Sequence, residues 1–151
     1  MKIFVDTASM YLTVKRRHPG HRLEYRKLSE GYVGHTVTAC VNFNDTKSVK
    51  FGSFLEALGW NVQYLERVGN QQYVDWSVKF TTLVLTTMEA CDTEITLVTT
   101  DIRYLPLVQY LSQRCTVHIH GMGVPTVYRA VATVKELDEN YIMPESNHSG
   151  Q

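Results

Sequence analysis

Three aspartates occupy positions from which their carboxylates can act together. Asp6 closes the first predicted strand, Asp101 directly follows the strand-like run at residues 95–100, and Asp75 opens a predicted long helix. In an open parallel sheet the carboxyl ends of the strands line one crevice, and ligands bind there. The sequence therefore predicts that these three carboxylates converge at one edge of a sheet.

Converging carboxylates have a defined chemistry. They repel one another unless a cation neutralises them, and hard oxygen ligands of this kind suit Mg²⁺ or Mn²⁺. A metal ion held in this way lowers the pKa of a bound water and stabilises charge on a phosphodiester, as phosphate-ester hydrolysis requires. The alternative is a structural role, because Asp at a strand end or helix N-cap accepts hydrogen bonds from backbone N–H groups.

The elements that must position these acids follow from the hydrophobic pattern. Short β-branched and aromatic runs alternate with longer segments of helical spacing, which is typical of an α/β domain with a parallel sheet. Predicted strands span residues 2–6, 36–43, 60–65, 94–99 and 115–120, and predicted helices span 9–17, 25–31, 48–58, 74–89 and 104–113. Ser48 is the predicted N-cap of the third helix and Gly59 its stop, whereas residues 126–137 fit either a helix or a strand. We expect one domain over residues 1–143 and a polar tail over 144–151.

The zero net charge of the chain hides an uneven distribution. Residues 15–27 contain six of the fifteen Lys and Arg residues and one of the fifteen acids, so this segment carries +5 and the remainder −5. We expect its basic residues to neutralise phosphates, which dominate nucleic-acid affinity. They are Lys15, Arg16, Arg17, Arg22, Arg26 and Lys27. The alternative is a solvated basic loop that pairs with acids elsewhere.

Three stretches resemble the PIN-like nuclease domain, most closely its NYN branch. Residues 3–11, IFVDTASMY, resemble the opening strand of the family, and residues 73–76, YVDW, resemble the start of its central helix. Residues 97–108, LVTTDIRYLPLV, resemble the family motif L-V-S-G-D-S-D-F-x-P-L-V. Their order and the glycine-containing block at 58–62 also fit, so the resemblance covers residues 1–121.

This resemblance implies a Rossmann-like three-layer α/β/α sandwich with a mostly parallel central sheet, and the activity of a metal-dependent ribonuclease. It makes Asp6, Asp75 and Asp101 the catalytic and metal-holding residues, with Mg²⁺ or Mn²⁺ as cofactor and RNA as partner. Ser9, which stands where the family has Asn, would orient a water ligand of the metal. Kinship also implies self-association into a homo-oligomer.

Arg103 stands where the family motif has a second Asp. A guanidinium cannot ligate a metal ion, but it can bind a phosphate through two N–H groups. We therefore predict phosphate contacts for Arg103 and Lys79 beside those of the basic segment. Three carboxylates remain where the family has four or five. The alternative function is therefore a PIN-like domain that has lost catalysis and serves as an RNA-binding or protein-interaction module.

Several other classes lack support in the sequence. There is no GxGxxG, GxxxxGK[ST] or G-x-S-x-G motif, which removes the basis for nucleotide-cofactor, P-loop and serine-hydrolase functions. A phosphotransfer enzyme on a similar sheet is a third alternative, although Ala8 stands where its aspartyl-nucleophile motif has a second Asp. Three cysteines, odd in number and far apart, favour a reducing compartment, and no apolar run has the length of a membrane span. We therefore expect a cytoplasmic protein without a membrane partner.

Overall fold

Parallel strands form the central sheet of the computed structural model. The structure describes residues 1–43, 46–66 and 72–145; for residues 72–75 it describes only the backbone. In chain order the strands are β1 (Lys2–Asp6), β2 (His21–Leu23), β3 (Thr36–Phe43), β4 (Asn61–Glu66), β5 (Glu94–Val98), β6 (Thr116–Gly121), β7 (Thr133–Glu136) and β8 (Ile142–Pro144). The helices are α1 (Thr7–Arg17), α2 (Tyr25–Glu30), α3 (Thr46–Ala57), α4 (Gln72–Thr87) and α5 (Leu105–Ser112).

The order of strands in the central sheet places the functional edge. The six strands run β4-β3-β1-β5-β6-β7, and all of them are parallel. Counted within this sheet alone, the order is that of a doubly wound Rossmann-like domain. The chain moves outward from β1 in one direction and later returns to its other side at β5. The topological switch point therefore lies between β1 and β5.

Helices cover both faces of this sheet because the central strands are buried on both sides. Along β1, Ile3 and Val5 point into a core formed with α1, α2 and α3, whereas Phe4 points into a second core formed with α4 and α5. Such continuous buried runs are expected of parallel strands covered on both faces. The predicted α/β class and three-layer sandwich are confirmed. No helix in the described ranges has the length and apolarity of a membrane span.

The third predicted helix is correct in type but not at its start. α3 begins two residues before Ser48, so Ser48 lies inside the helix and its predicted N-cap role is wrong. The end is as predicted. Gly59 has a φ of +91°, its N–H bonds the carbonyl of Glu56 at 2.9 Å, and the Trp60 N–H bonds that of Leu55 at 3.3 Å. These two bonds form a Schellman motif, which favours glycine at the left-handed position.

The last third of the chain contains elements that the sequence does not separate. Residues 126–137, which fit either a helix or a strand in the sequence, form a 3₁₀ helix at Thr126–Ala130 and then strand β7.

β2 and β8 form a separate antiparallel pair, in which His21 lies opposite Pro144. Ordered pairing thus extends into the start of the predicted tail, and residues 146–151 lie outside the described ranges.

Gly121 supplies a test of how closely β6 packs against the end of β5. A Cβ at this position would lie 2.7 Å from Cγ2 of Thr100 and 2.9 Å from the carbonyl oxygen of Thr99. We expect Gly121→Ala to lower the free energy of unfolding by about 1–3 kcal/mol, as overpacking does. Gly31→Ala is the control, because its Cβ would meet only the Leu28 carbonyl, at 3.6 Å. Equal losses in urea denaturation would contradict this packing.

Candidate functional site

A cleft of about 280 Å³ opens at the switch point, at the carboxyl ends of β1 and β5. Its lining contains two acids, three hydroxyl side chains and two arginines, namely Asp6, Asp101, Ser9, Thr13, Thr100, Arg16 and Arg103. Doubly wound sheets bind ligands at this place. The structure therefore brings two of the three predicted aspartates, Ser9 and two of the predicted cations to one cleft.

Asp6 is the fully buried acid of the cleft and the N-cap of α1. Its Oδ1 accepts the Ser9 backbone N–H at 3.1 Å and the Trp76 indole N–H at 3.0 Å, and its Oδ2 accepts the Thr99 hydroxyl at 3.0 Å. These donors are all uncharged. Burial raises the pKa of Asp6 to about 6, the three hydrogen bonds oppose the shift, and the negative charge of Asp101 adds to it. Asp6 is thus a structural N-cap, and this role is compatible with the predicted role of its carboxylate as a metal ligand.

Asp101 lies in the opposite electrostatic environment. It caps a short 3₁₀ helix, Ile102–Tyr104, by accepting the Arg103 backbone N–H at 2.9 Å. The Arg103 guanidinium also bonds both carboxylate oxygens, with Nε 3.0 Å from each and Nη2 on Oδ2. Partial burial of Asp101 disfavours its charged form, but the hydrogen bonds and charge of Arg103 outweigh this and hold its pKa below the usual range.

Thr99 connects the two acids. Its hydroxyl donates to Asp6 and accepts the backbone N–H of Asp101 at 3.1 Å. The residue is fully buried directly after β5, so it fixes the spacing between the ends of β1 and β5. No motif in the sequence predicts a role for Thr99. Its position in the polar pair Thr99-Thr100, between a buried strand and Asp101, is the sequence feature that could have indicated one.

A second set of hydroxyls fixes α1 to the segment that follows β5. Ser9 Oγ accepts the Thr100 backbone N–H at 3.2 Å and lies 3.2 Å from the Thr100 hydroxyl. That hydroxyl lies 2.7 Å from Oγ1 of Thr13, one helical turn beyond Ser9. Ser9 therefore holds the cleft wall together, and its predicted role in orienting a metal-bound water stays a prediction.

The third aspartate can be placed only by its backbone. Asp75 lies in the first turn of α4, as predicted, and its side chain is outside the described residues. Among the side chains that are described, no three His, Cys, Asp or Glu residues lie close enough to hold a metal ion. The oxygens of Asp6 and Asp101 are donors that Mg²⁺ or Mn²⁺ accepts, but the bonds from Arg103 occupy both oxygens of Asp101. The three-carboxylate metal site stays a prediction.

The predicted phosphate-binding residues divide into two groups. Arg16 follows Ser9 and Thr13 at helical spacing, so the three share one face of α1 and line the cleft. Arg103 lines the same cleft. The remaining cations are outside its lining as the described residues form it, namely Lys15, Arg17, Arg22, Arg26, Lys27 and Lys79.

Those outer cations have other contacts. The Arg26 guanidinium lies 4.9 Å from the ring centre of Phe54, and the Lys79 ammonium donates to the Glu66 carbonyl at 2.6 Å. Arg17 lines a separate cleft of about 430 Å³ near Gly123. Of the predicted phosphate-binding cations, Arg16 and Arg103 are therefore the two that line the switch-point cleft, as far as the described residues show it.

Comparisons with known proteins inform the fold. No protein-family model matches the chain, and no curated protein matches it. A crystal structure of a protein of unknown function from Vibrio parahaemolyticus is similar to this chain, with a TM-score of 0.79 over 94% of both chains and 21% sequence identity. At this identity the likeness supports the doubly wound fold and carries no information about activity.

The raised pKa of Asp6 predicts a pH dependence of stability. The folded protein binds a proton at Asp6 with a pKa of about 6, against 3.8 for an ordinary carboxyl, so protonation favours the folded state. The stabilisation from this proton is complete below about pH 4 and is lost as the pH rises through 6; its size is on the order of 2–3 kcal/mol. Asp6→Asn has no such titration, so its stability relative to wild type should increase over this interval. Urea denaturation with EDTA measures the difference, and parallel profiles would contradict the burial of an ionised carboxylate.

Proposed function

We propose that this protein is a metal-dependent ribonuclease that hydrolyses RNA phosphodiester bonds in the switch-point cleft. The observation that carries the proposal is that Asp6, Asp101, Arg16 and Arg103 line one cleft. Carboxylates hold divalent cations, and guanidinium groups bind phosphate oxygens in pairs. Phosphodiester hydrolysis needs both kinds of group around one reacting phosphate.

Asp6 and Asp101 would hold Mg²⁺ or Mn²⁺, directly or through water, with Asp75 as the third carboxylate. The bound ion supplies charge stabilisation and a water of lowered pKa. The protein's own contribution is rigidity. Asp6 receives hydrogen bonds from α1, from α4 and from Thr99 directly after β5, so its carboxylate is held in one orientation. Such preorganisation is what a site for a charged transition state requires.

The rest of the cleft suits a nucleotide better than a free phosphate. Arg16 and Arg103 supply positive charge beside the acids. Leu12 and Ile102 line the same cleft with 43% and 48% of their surfaces exposed. Exposed apolar side chains beside phosphate-binding cations offer a surface on which unstacked bases can pack. The exposed cations Lys15, Arg22, Arg26 and Lys27 would add long-range attraction for the RNA backbone.

One contact favours the second candidate, a domain that binds RNA or a protein partner without cleavage. The guanidinium of Arg103 bonds both oxygens of Asp101 and so occupies a predicted metal ligand. Both candidates are compatible with a cytoplasmic protein, since Cys40, Cys91 and Cys115 are free thiols. The two functions differ in whether a divalent cation reaches Asp101.

A cleavage assay on single-stranded RNA with Mn²⁺ separates these candidates. We expect wild type to cleave and both Asp6→Asn and Asp101→Asn to lose at least about 100-fold in rate, because each removes a carboxylate from the metal site. EDTA should abolish cleavage. Glu56→Gln is the control. Glu56 is exposed on α3, so this substitution removes one carboxylate that does not line the cleft. Equal cleavage by all four proteins would reveal a contaminant, and RNA binding without cleavage would favour the second candidate.

Arg16 permits a separate test of RNA binding. We expect Arg16→Gln to weaken binding several-fold and to reduce the slope of log affinity against log salt by about 1, as the loss of one phosphate contact does. Arg114→Gln is the control, because it also removes one positive charge. Arg114 follows α5, donates a hydrogen bond to the Tyr110 hydroxyl and is not among the residues that line the cleft. Fluorescence anisotropy at several salt concentrations measures both variants. Equal effects would mean that general charge, and not the cleft, binds the RNA.

A further inference from the structure

A cation of the protein itself already occupies Asp101. Three N–H donors reach its carboxylate. The Arg103 backbone N–H bonds Oδ1 at 2.9 Å, Nη2 bonds Oδ2, and the one hydrogen of Nε is shared between both oxygens at 3.0 Å from each. A carboxylate offers about four lone-pair positions, so these donors use most of them. A divalent cation must therefore compete for Asp101 with a guanidinium that contacts both of its oxygens.

The guanidinium has a short path to another partner. Arg103 and Asp101 both line the cleft, and 39% of the Arg103 side chain is exposed, against 15% for Asp101. Water screens the charges of a partly exposed ion pair, so a phosphate that enters the cleft can compete with Asp101 for the guanidinium. Phosphate oxygens in the same cleft offer the fork of Arg103 the bidentate geometry that a carboxylate offers. Exchange from Asp101 to a phosphate is thus a local side-chain movement.

We propose that Arg103 is an exchangeable counter-ion that makes metal binding depend on the RNA. In the free protein it neutralises Asp101; when RNA enters, Arg103 moves to a phosphate and Asp101 becomes available to the divalent cation. This inference rests on the proposed function and deepens it, because it assigns an order to the binding of RNA and metal. Metal and phosphate then strengthen each other's binding by the same factor, as linkage requires.

The environment of Asp6 supports this division of roles. Asp6 is held by uncharged donors, whereas Asp101 has a guanidinium. Among the described contacts, the Arg103 guanidinium bonds Asp101, and no guanidinium bonds Asp6. When Arg103 moves to a phosphate, Asp101 loses this positive partner. A divalent cation that binds Asp101 would restore the balance of charge.

Mn²⁺ binding to the full chain, read from the electron paramagnetic resonance signal of free Mn²⁺, tests the proposal without any cleavage. We expect Arg103→Gln to bind Mn²⁺ at least about tenfold more tightly than wild type, because the competing cation is gone. Arg114→Gln has the same net charge as Arg103→Gln, but it should bind Mn²⁺ with the affinity of wild type. The double variant Arg103→Gln with Asp101→Asn should lose the gain. Equal Mn²⁺ affinity of wild type and Arg103→Gln would overturn the proposal, as would no binding by either.

Two further measurements keep the test decisive. If Arg103→Gln is not folded by circular dichroism, Arg103→Lys replaces it; a lysine keeps the charge but lacks the fork, and it should bind Mn²⁺ more tightly than wild type by a smaller factor. Sulfate, a phosphate substitute, should tighten Mn²⁺ binding by wild type relative to chloride at equal ionic strength, and should not do so in Arg103→Gln. An identical response of both proteins to sulfate would overturn the exchange.

The outcomes also separate this inference from the nuclease proposal. Tighter Mn²⁺ binding by Arg103→Gln without RNA cleavage by any protein supports the counter-ion role and rejects the nuclease. Cleavage that depends on Asp6 and Asp101, together with equal Mn²⁺ affinity of wild type and Arg103→Gln, supports the nuclease and rejects the counter-ion role.

Discussion

The buried carboxylate of Asp6 is the contact on which the architecture of the cleft depends. It stands at the end of β1 and accepts one hydrogen bond each from Ser9 of α1, Trp76 of α4 and Thr99, which directly follows β5. Three elements are thereby fixed to one point at the switch of the sheet. Burial of an ionised carboxylate among uncharged donors is costly. A fold that retains such a group at the place where doubly wound sheets bind ligands favours a functional role for it.

The two acids of the cleft have been given opposite environments. Burial raises the pKa of Asp6, whereas Arg103 holds the pKa of Asp101 below its usual range. The Thr99 hydroxyl bonds the Asp6 carboxylate and the Asp101 backbone N–H, so the two acids are held at a fixed spacing. Acids with separated pKa values commonly have separate roles in a site. On our account Asp6 is a fixed ligand, and Asp101 is a ligand whose availability is controlled by its arginine.

The sequence predicts the parts of this structure that depend on local patterns. β1 and β3 have the predicted bounds because both are rich in β-branched and aromatic residues, and Gly59 ends α3 because its position needs a left-handed backbone. The placement of Asp6 and Asp101 at one edge follows from strand ends in a parallel sheet. β2 and β8 escape prediction because a three-residue strand is too short to show alternation.

Side-chain partners at the cleft could not be predicted, because they depend on how elements meet. Arg16 lines the cleft and its neighbour Arg17 does not, since the helix rotates their side chains to different faces. The contact between Arg103 and Asp101 depends on the capped 3₁₀ turn that contains them. Residues two apart do not face each other on a helix, so their spacing alone does not predict it there. The contact of Arg16 with the cleft depends in addition on how α1 packs against the end of β5.

A crystal structure with Mn²⁺ and a short RNA would show whether metal and phosphate meet at the two acids of the cleft. We expect an anomalous Mn²⁺ peak in the switch-point cleft, with oxygens of Asp6 and Asp101 in its first or water-mediated coordination sphere. Direct ligand distances should be about 2–2.6 Å, as for hard divalent cations. Arg103 should lie on a phosphate and no longer on Asp101. Mn²⁺ bound elsewhere, or RNA bound in the cleft with Arg103 still on Asp101, would contradict the account.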